Sequence, residues 1–393
     1  MFKNRNLLII ALIAIVNALG YGIIIPVLYS YSIRFGLSDF QNGLLFAIFA
    51  ICQFLSTPFI GRMSDKYGRK PLLVISIAGT ALSFFMTAFA PTAIFLFIAR
   101  ALDGITAGNI PVAAAVISDT TTEKDRAKGF GIIGASFGFG FVFGPAISAF
   151  TVGISAALPF IIAGVISTIA VIITALFLPE TNKHIGEVKK GKLFDFAKLY
   201  HALFDKSIGV TLLISFFYFL AFSCAILYGY QPFSVKVLHL SEMEVSLLFT
   251  MFGVIGLITQ LFLIPKVTKR FGLKKPFSFA FLAVALIFFG IFFSRSLFSF
   301  AILSVLLGLA NSLIQPLTQT ILSNETDAKS QGSIQGINAS YMSLGQIFGP
   351  IAGGAIATIA VPYPFLAGAA IMLICLYLSF KVLKPGVAKE HAF

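Results

Sequence analysis

Twelve runs of mostly apolar residues, each about long enough to cross a bilayer, follow one another along this 393-residue chain. They fall at 7–29, 41–61, 71–90, 93–118, 129–150 and 157–178, then at 208–230, 244–265, 276–294, 297–322, 333–357 and 362–383. Lipid offers no water to free backbone N–H and C=O groups, so such runs predict helices that satisfy their own backbone bonds. The mean hydropathy of +0.97, with 58% apolar and 11% charged residues, fits a polytopic all-α membrane protein and no soluble domain. A formal net charge of +13 could suit a nucleic acid. The cations, however, lie in short connections between apolar runs rather than along one face, so no nucleic-acid partner is expected.

Those cations set the orientation. With both termini cytoplasmic, 24 of the 28 Lys and Arg lie in cytoplasmic segments; Arg34, Lys236 and Arg295 lie outside, and Arg100 lies within span 4. The expected location is the inner (cytoplasmic) membrane, crossed many times. The N-terminal apolar run is too long for a signal-peptide core and reads as a first span that also serves as targeting signal. Cys52, Cys224 and Cys375 lie in apolar runs without ligand or redox spacing and read as small core residues.

A single long polar insertion divides the chain into an N-terminal six-helix bundle (1–178), a cytoplasmic linker (179–207) and a C-terminal six-helix bundle (208–393). An amphipathic helix around Phe194–Phe204 is expected to lie on the membrane surface. An internal repeat supports the division. Ile117-Ser-Asp-Thr through Phe143-Gly-Pro145 aligns without gaps onto Leu322-Ser-Asn-Glu through Phe348-Gly-Pro350, and the same offset of 205 pairs Pro111 with Pro316. Lys269-Arg-Phe-Gly-Leu-Lys274 is a weaker copy of Asp65-Lys-Tyr-Gly-Arg-Lys70. Parallel repeats of this kind place a substrate site at their interface near the midplane.

Three constellations carry chemistry. The first is the connection Gly61-Arg-Met-Ser-Asp-Lys-Tyr-Gly-Arg-Lys70. Asp65 and Arg69 would face each other if the preceding helix continued that far, and Gly61 and Gly68 permit close approach or a turn. It reads either as a plain positive-inside loop or as a conformational latch; the spacing favours a latch, which Asp119 at the end of span 4 would complete. The second is Arg100 and Asp103, the charges deep within a span. Their spacing puts them on one helix face, either as a static ion pair or as a proton site in which Asp103 carries H⁺ and Arg100 modulates it. The third is span 5, where Gly134, Gly138, Gly140, Gly144 and Pro145 make a closely packing face with a bend.

Uncharged polar residues within the spans divide between helix–helix hydrogen bonds and a central cavity. The cavity candidates are Asn17, Tyr21, Asn109, Ser136, Tyr228, Gln260, Asn311, Gln315, Asn338 and Tyr341. With 45 Phe in the chain, such a cavity would be aromatic and suited to small amphipathic solutes. There is no GxxxxGK[ST] motif and no His or Cys cluster with ligand spacing, so neither ATP-driven pumping nor a metal site is supported.

At these residues the chain resembles the major facilitator superfamily, specifically its twelve-span drug:proton antiporters related to tetracycline efflux pumps. Gly20-Tyr-Gly-Ile-Ile-Ile-Pro26 resembles the family's first span, Gly61–Lys70 its signature loop, Arg100-Ala-Leu-Asp-Gly104 its span-4 arginine motif and Gly134–Pro145 its antiporter motif. The resemblance implies two pseudo-symmetric six-helix bundles that rock about a central site. It also implies that Asp65, Arg69 and Asp119 form the network holding the outward-open state, in the latch whose other candidates are Gly61, Gly68 and Lys70. Arg100 would take part in proton coupling, and span 5 would govern closure against span 8. Tetracycline pumps carry acids in spans 1, 3 and 9, where this chain has Asn17, Ser83 and an uncharged 277–294; Asp103 is an acid where many relatives have none. The expected function is therefore proton-coupled export of small amphipathic or hydrophobic compounds by a monomer in the lipid bilayer, with a proton gradient and no cofactor. A sugar, lipid or metabolite carrier and a non-transporting membrane sensor are the rival readings. An enzyme is not expected, because no nucleophile–base or metal set is visible in the spans.

Overall fold

The computed structural model describes residues 5–121, 123–183, 185–186, 195–327 and 330–383, and among these every regular element is helical. The chain forms two compact units. Unit 1 comprises Met1–Leu37, Ile48–Phe194 and Ser241–Thr250; unit 2 comprises Ser38–Ala47, Asp195–Leu240 and Met251–Phe393.

Through the first half of the chain run α1 (Arg5–Ile24), α2 (Leu28–Ile33), α3 (Asp39–Tyr67), α4 (Arg69–Ala88), α5 (Ala93–Thr106), α6 (Ile110–Thr120), α7 (Glu123–Thr151) and α8 (Leu158–Phe177). Two expected single spans are broken. Pro26 has no N–H to continue α1, so the first span ends at Ile24 and restarts at Leu28; Pro111 sits in the first turn of α6, so span 4 divides at 107–109. The expected loop 61–70 is also mostly helix. α3 runs to Tyr67, and Gly68 alone, at φ +103°, separates it from α4. The core of unit 1 is aliphatic, with Ile10, Ile13, Leu73, Ile77, Val116 and Ala170 buried together.

The second half contains the short α9 (Phe196–Leu203), α10 (Gly209–Phe222) and α11 (Tyr230–Lys236). They are followed by α12 (Glu242–Ile258), α13 (Ile264–Phe271), α14 (Lys274–Phe293), α15 (Leu297–Asn324), α16 (Gln331–Ala357) and α17 (Tyr363–Ser379). π-helical turns at Ser223–Gly229 and Thr259–Leu263 join α10 to α11 and α12 to α13. The core of unit 2 is aromatic: Phe233, Phe277, Phe281, Phe288, Phe300 and Phe365 are all fully buried. α9 falls where the linker helix was expected, and Phe194 lies outside the described residues. Its Leu199, Ala202 and Leu203 pack with Ile208, Leu212 and Leu322, while Phe196, Tyr200 and Phe204 are exposed on the other face.

Among the described residues ten helices are long and apolar enough to cross a membrane. The last two expected spans fall on α16, which carries many polar side chains, and on α17, of 17 residues.

Candidate functional site

Arg100 and Asp103 lie one turn apart on the buried face of α5, with 4% and 6% of their surface exposed. Arg100 Nη1 donates to Asp103 Oδ2 at 2.7 Å. Nearby on α4, Ser83 Oγ donates to Thr80 O at 2.8 Å, and Thr80 Oγ1 lies 3.4 Å from Thr106 Oγ1 on α5. The guanidinium lies over the Phe49 ring, 4.4 Å from its centroid, and Arg100 Nε is buried without a hydrogen-bond partner among the described residues. A desolvated cation over a ring gains about 2 kcal/mol, so Phe49 holds the plane of Arg100 while Asp103 takes its edge. Gly104 makes this stack possible. A Cβ there would stand 2.8 Å from Cys52 Cβ, so only glycine lets α5 lean onto α3. Tyr21 edges the same group, 6.0 Å from the Phe49 ring.

The latch residues also come together. Arg69 Nη1 reaches Asp65 Oδ1 at 2.6 Å, and its Nε reaches Asp119 Oδ2 at 3.3 Å; Nη1 also donates to Ser64 Oγ. Glu180 was missed in the sequence. Its carboxylate accepts the backbone N–H groups of Arg69 and Lys70 at the start of α4, at 2.9 and 3.1 Å, and those of Thr181 and Asn182. An anion at a helix N-terminus satisfies donors that have no intrahelical acceptor. This explains Gly68 twice over, since its φ suits glycine and a Cβ would stand 2.8 Å from Glu180 Cδ. Asn182 Nδ2 and the Gly186 N–H both donate to Asp65 O, so the stretch after α8 is stitched to the end of α3. Gly61 faces open space.

On α7, Gly140 and Gly144 press against α1 at Ala18 and Gly22, and Ser148 Oγ donates to Ile23 O at 2.8 Å. Gly134 has nothing within 4 Å of a Cβ position, Gly138 is half-buried and Pro145 lies inside the helix. In the repeat copy, Gly349 packs on Ser223 and Leu220 in the same manner.

Most cavity candidates are occupied with other helices. Asn17 and Asn109 form a reciprocal amide pair at 2.9 and 3.3 Å, and Ser136 Oγ donates to Ala11 O at 3.4 Å. Tyr228 donates to Asp39 O, Tyr341 to Leu199 O and Tyr218 to Asn311 Oδ1. Asn338 Nδ2 meets Met342 Sδ while its Oδ1 has no partner among the described residues; Gln260 and Gln315 are exposed. No group of His, Cys, Asp or Glu among the described residues is placed to hold a metal ion.

The family model for the Major Facilitator Superfamily matches residues 10–241 and 211–392. The chain belongs to the major facilitator superfamily. This transporter is 31% identical over 360 residues to the tetracycline resistance protein, class B, of Escherichia coli, covering 88% of its own length and 87% of that protein. It is also 31% identical over 369 residues to multidrug resistance protein 1 of Bacillus subtilis (strain 168), covering 92% of each. The solved structure of a D-xylose-proton symporter covers 96% of the chain with a TM-score of 0.79 at 17% identity, which speaks to fold alone. The fold is the major-facilitator one, and the protein is a carrier rather than an enzyme.

Proposed function

We propose that the transporter exports small amphipathic or hydrophobic compounds in exchange for protons, by alternating access, with Asp103 as proton carrier and Arg100 as its modulator. The observation that carries this reading is the buried Arg100–Asp103 pair at 2.7 Å, set against the Phe49 ring. Ionisable groups at membrane depth are costly, by a few kcal/mol each, and are retained where they do work on protons, ions or substrate. Relatives at 31% identity named for tetracycline and multidrug resistance support export of drug-like compounds.

Ser83 sharpens the reading. In tetracycline pumps the matching place in span 3 holds an acid; here it holds a serine whose hydroxyl donates to Thr80 O within α4 at 2.8 Å. This favours a hydrophobic drug or metabolite over a tetracycline–metal chelate. The rest of the proposal is an inner-membrane monomer with cytoplasmic termini, bundles 1–178 and 208–393 moving about the linker 179–207, and a proton gradient in place of a cofactor.

The test is dye accumulation in everted vesicles, with a panel of lipophilic dyes and a protonophore control. Asp103→Asn should abolish proton-driven uptake while leaving dye binding measurable. Unchanged proton-driven transport in that variant would remove Asp103 from the mechanism, and ligand binding without any flux would favour the sensor reading.

A further inference from the structure

The helix–glycine–helix corner at 60–70 has a copy in unit 2. Ile60 through Gly68 pairs in sequence with Ile264 through Gly272, so the end of α3 corresponds to α13. Both glycines are left-handed, Gly68 at φ +103° and Gly272 at φ +72°, and a helix follows each within two residues. The charges diverge. Lys269 stands where the first corner has Asp65, and Asn324 stands where it has Asp119. In the first corner Arg69 pairs with Asp65 and Asp119, and Glu180 accepts the N–H groups that open α4. The second corner carries Lys266, Lys269, Arg270, Lys274 and Lys275, none of them in an ion pair among the described residues.

The described acids of unit 2 on the side that the loop charges make cytoplasmic are engaged elsewhere. Asp195 accepts the Lys198 N–H at the start of α9, and Asp205 accepts the Ser207 and Ile208 N–H groups. Glu325 takes the Thr211 hydroxyl and the Leu383 N–H, and Asp327 takes the Ser330 N–H. α14 also opens without an anion, since its N-cap, Leu273, makes no side-chain bond. α13 itself is bare. None of its residues is buried, and the turn before it exposes Leu261 and Phe262. Its periodicity puts Lys266, Lys269 and Arg270 on one side and Ile264, Val267 and Phe271 on the other. A helix that leaves an apolar layer with two such faces fits the boundary between acyl chains and headgroups. The corner lacks a carboxylate of its own, so charge complementarity selects an anionic headgroup. Each Lys or Arg near an anionic lipid surface favours it about fivefold.

We infer that α13 and the start of α14 form a docking surface for anionic phospholipid headgroups. Phosphate oxygens of the lipid pair with Lys266, Lys269, Arg270, Lys274 and Lys275, while Ile264, Val267 and Phe271 enter the acyl boundary. The first corner holds three carboxylates of its own among four cations, so it draws no such lipid. The inference goes beyond export: it needs only that the helices lie in a bilayer, and its failure leaves the export reading untouched.

The chain has no tryptophan, so Phe271→Trp places a single indole at the end of α13, and Tyr67→Trp places one at the matching point of α3. Each full-length variant is reconstituted in vesicles of phosphatidylcholine with phosphatidylglycerol as the minor lipid. Bromine atoms, which quench an indole on contact, are carried either by the phosphatidylglycerol chains or by the phosphatidylcholine chains. At Phe271→Trp, phosphatidylglycerol should quench about fivefold more per molecule than phosphatidylcholine, and high salt should erase the preference. At Tyr67→Trp the two lipids should quench within about twofold of each other. Adding Lys266→Gln, Lys269→Gln and Arg270→Gln to Phe271→Trp should bring the two lipids to within about twofold, with quenching by phosphatidylcholine retained as the sign that α13 still meets lipid. Equal preference at both reporters would show bare surface charge and overturn the inference. So would a preference that survives the three glutamines, or no quenching by either lipid at Phe271→Trp, which would put α13 against protein or in water.

Discussion

Replacing Gly144 with alanine measures the close seam between α1 and α7. The added Cβ would stand 2.7 Å from Gly22 Cα, where ordinary contact begins at 3.4 Å, and the obstacle is backbone that has no rotamer to turn away. The helices must therefore part by roughly 0.7 Å, which forfeits a quarter to a half of each contact's well depth of about 0.1–0.2 kcal/mol. Over about 40 such contacts, the number a buried leucine makes, that amounts to about 1–4 kcal/mol, overlapping the cost of other overpacked cores. The Ser148–Ile23 hydrogen bond, now 2.8 Å, would stretch out of range and cost about 1 kcal/mol more. Gly134, nearly three turns earlier on the same helix, is the control. No described atom lies within 4 Å of its Cβ position, and alanine is the better helix former by about 1 kcal/mol. The chain has no tryptophan, but Cys224 and Cys375 are 1% and 0% exposed, so a thiol-reactive dye reports unfolding. For a chain of this size the expected fall in Tm for Gly144→Ala is about 3–6 °C, with Gly134→Ala unchanged or higher. Equal behaviour of the two variants would refute the reasoning.

Three further outcomes follow from the same contacts. Glu180→Ala should remove the anionic cap of α4, cost about 1 kcal/mol and speed hydrogen exchange at the Arg69 and Lys70 amides, without changing exchange in α5. Asn17→Ala and Asn109→Ala should each destabilise by about 0.6 kcal/mol, the double variant costing little more than either single, with dye selectivity unaltered; a selectivity change would return this pair to the cargo site. Just past α15, burial pushes the Glu325 carboxyl above its ordinary range, although the Thr211 hydroxyl and Leu383 N–H donate to it. A carboxyl raised in the folded state contributes stability that is complete below the ordinary glutamate pKa and is lost as pH rises through the raised value. Tm should therefore decline with rising pH across that window in the native protein, and Glu325→Gln should flatten the decline.

The spans were legible because membrane helices must satisfy their backbones internally, which makes length and apolarity nearly sufficient. The proline breaks were not. Pro26 and Pro111 interrupt helices, whereas Pro58, Pro145, Pro316 and Pro350 lie inside them. Pro111 and Pro316 occupy matching places in the repeat, so the difference comes from packing rather than from the residue. The latch showed in the spacing of Asp65 and Arg69, but Glu180, some 110 residues away, carries no local signal. Arg100 and Asp103 announce themselves as charges in an apolar run. Phe49 does not, being one of 45 phenylalanines. Among polar residues, composition cannot separate an amide that pairs with another helix, such as Asn17, from one that faces cargo.

The chemistry of the α5 group limits what proton exchange can do. While Asp103 is ionised, Arg100 has one carboxylate at its edge and one ring at its face, and its Nε remains without a partner among the described residues. On the proposed coupling, a proton arriving at Asp103 neutralises the carboxylate and leaves a guanidinium balanced only by the Phe49 quadrupole, which is worth about 2 kcal/mol against a burial cost of several. That state is tolerable only if Arg100 moves toward a wetter place or meets a new acceptor. On that proposal either change would distinguish the open from the closed form, since a proton shifts a conformational equilibrium only through such a difference. Phe49→Leu tests this step apart from the carboxylate. Removing the ring should raise the cost of the protonated state and lower proton-driven transport about tenfold, with dye affinity little changed. If Phe49→Leu instead weakens dye binding and leaves the proton dependence intact, the ring belongs to the cargo and the balance of charge around Arg100 is struck elsewhere.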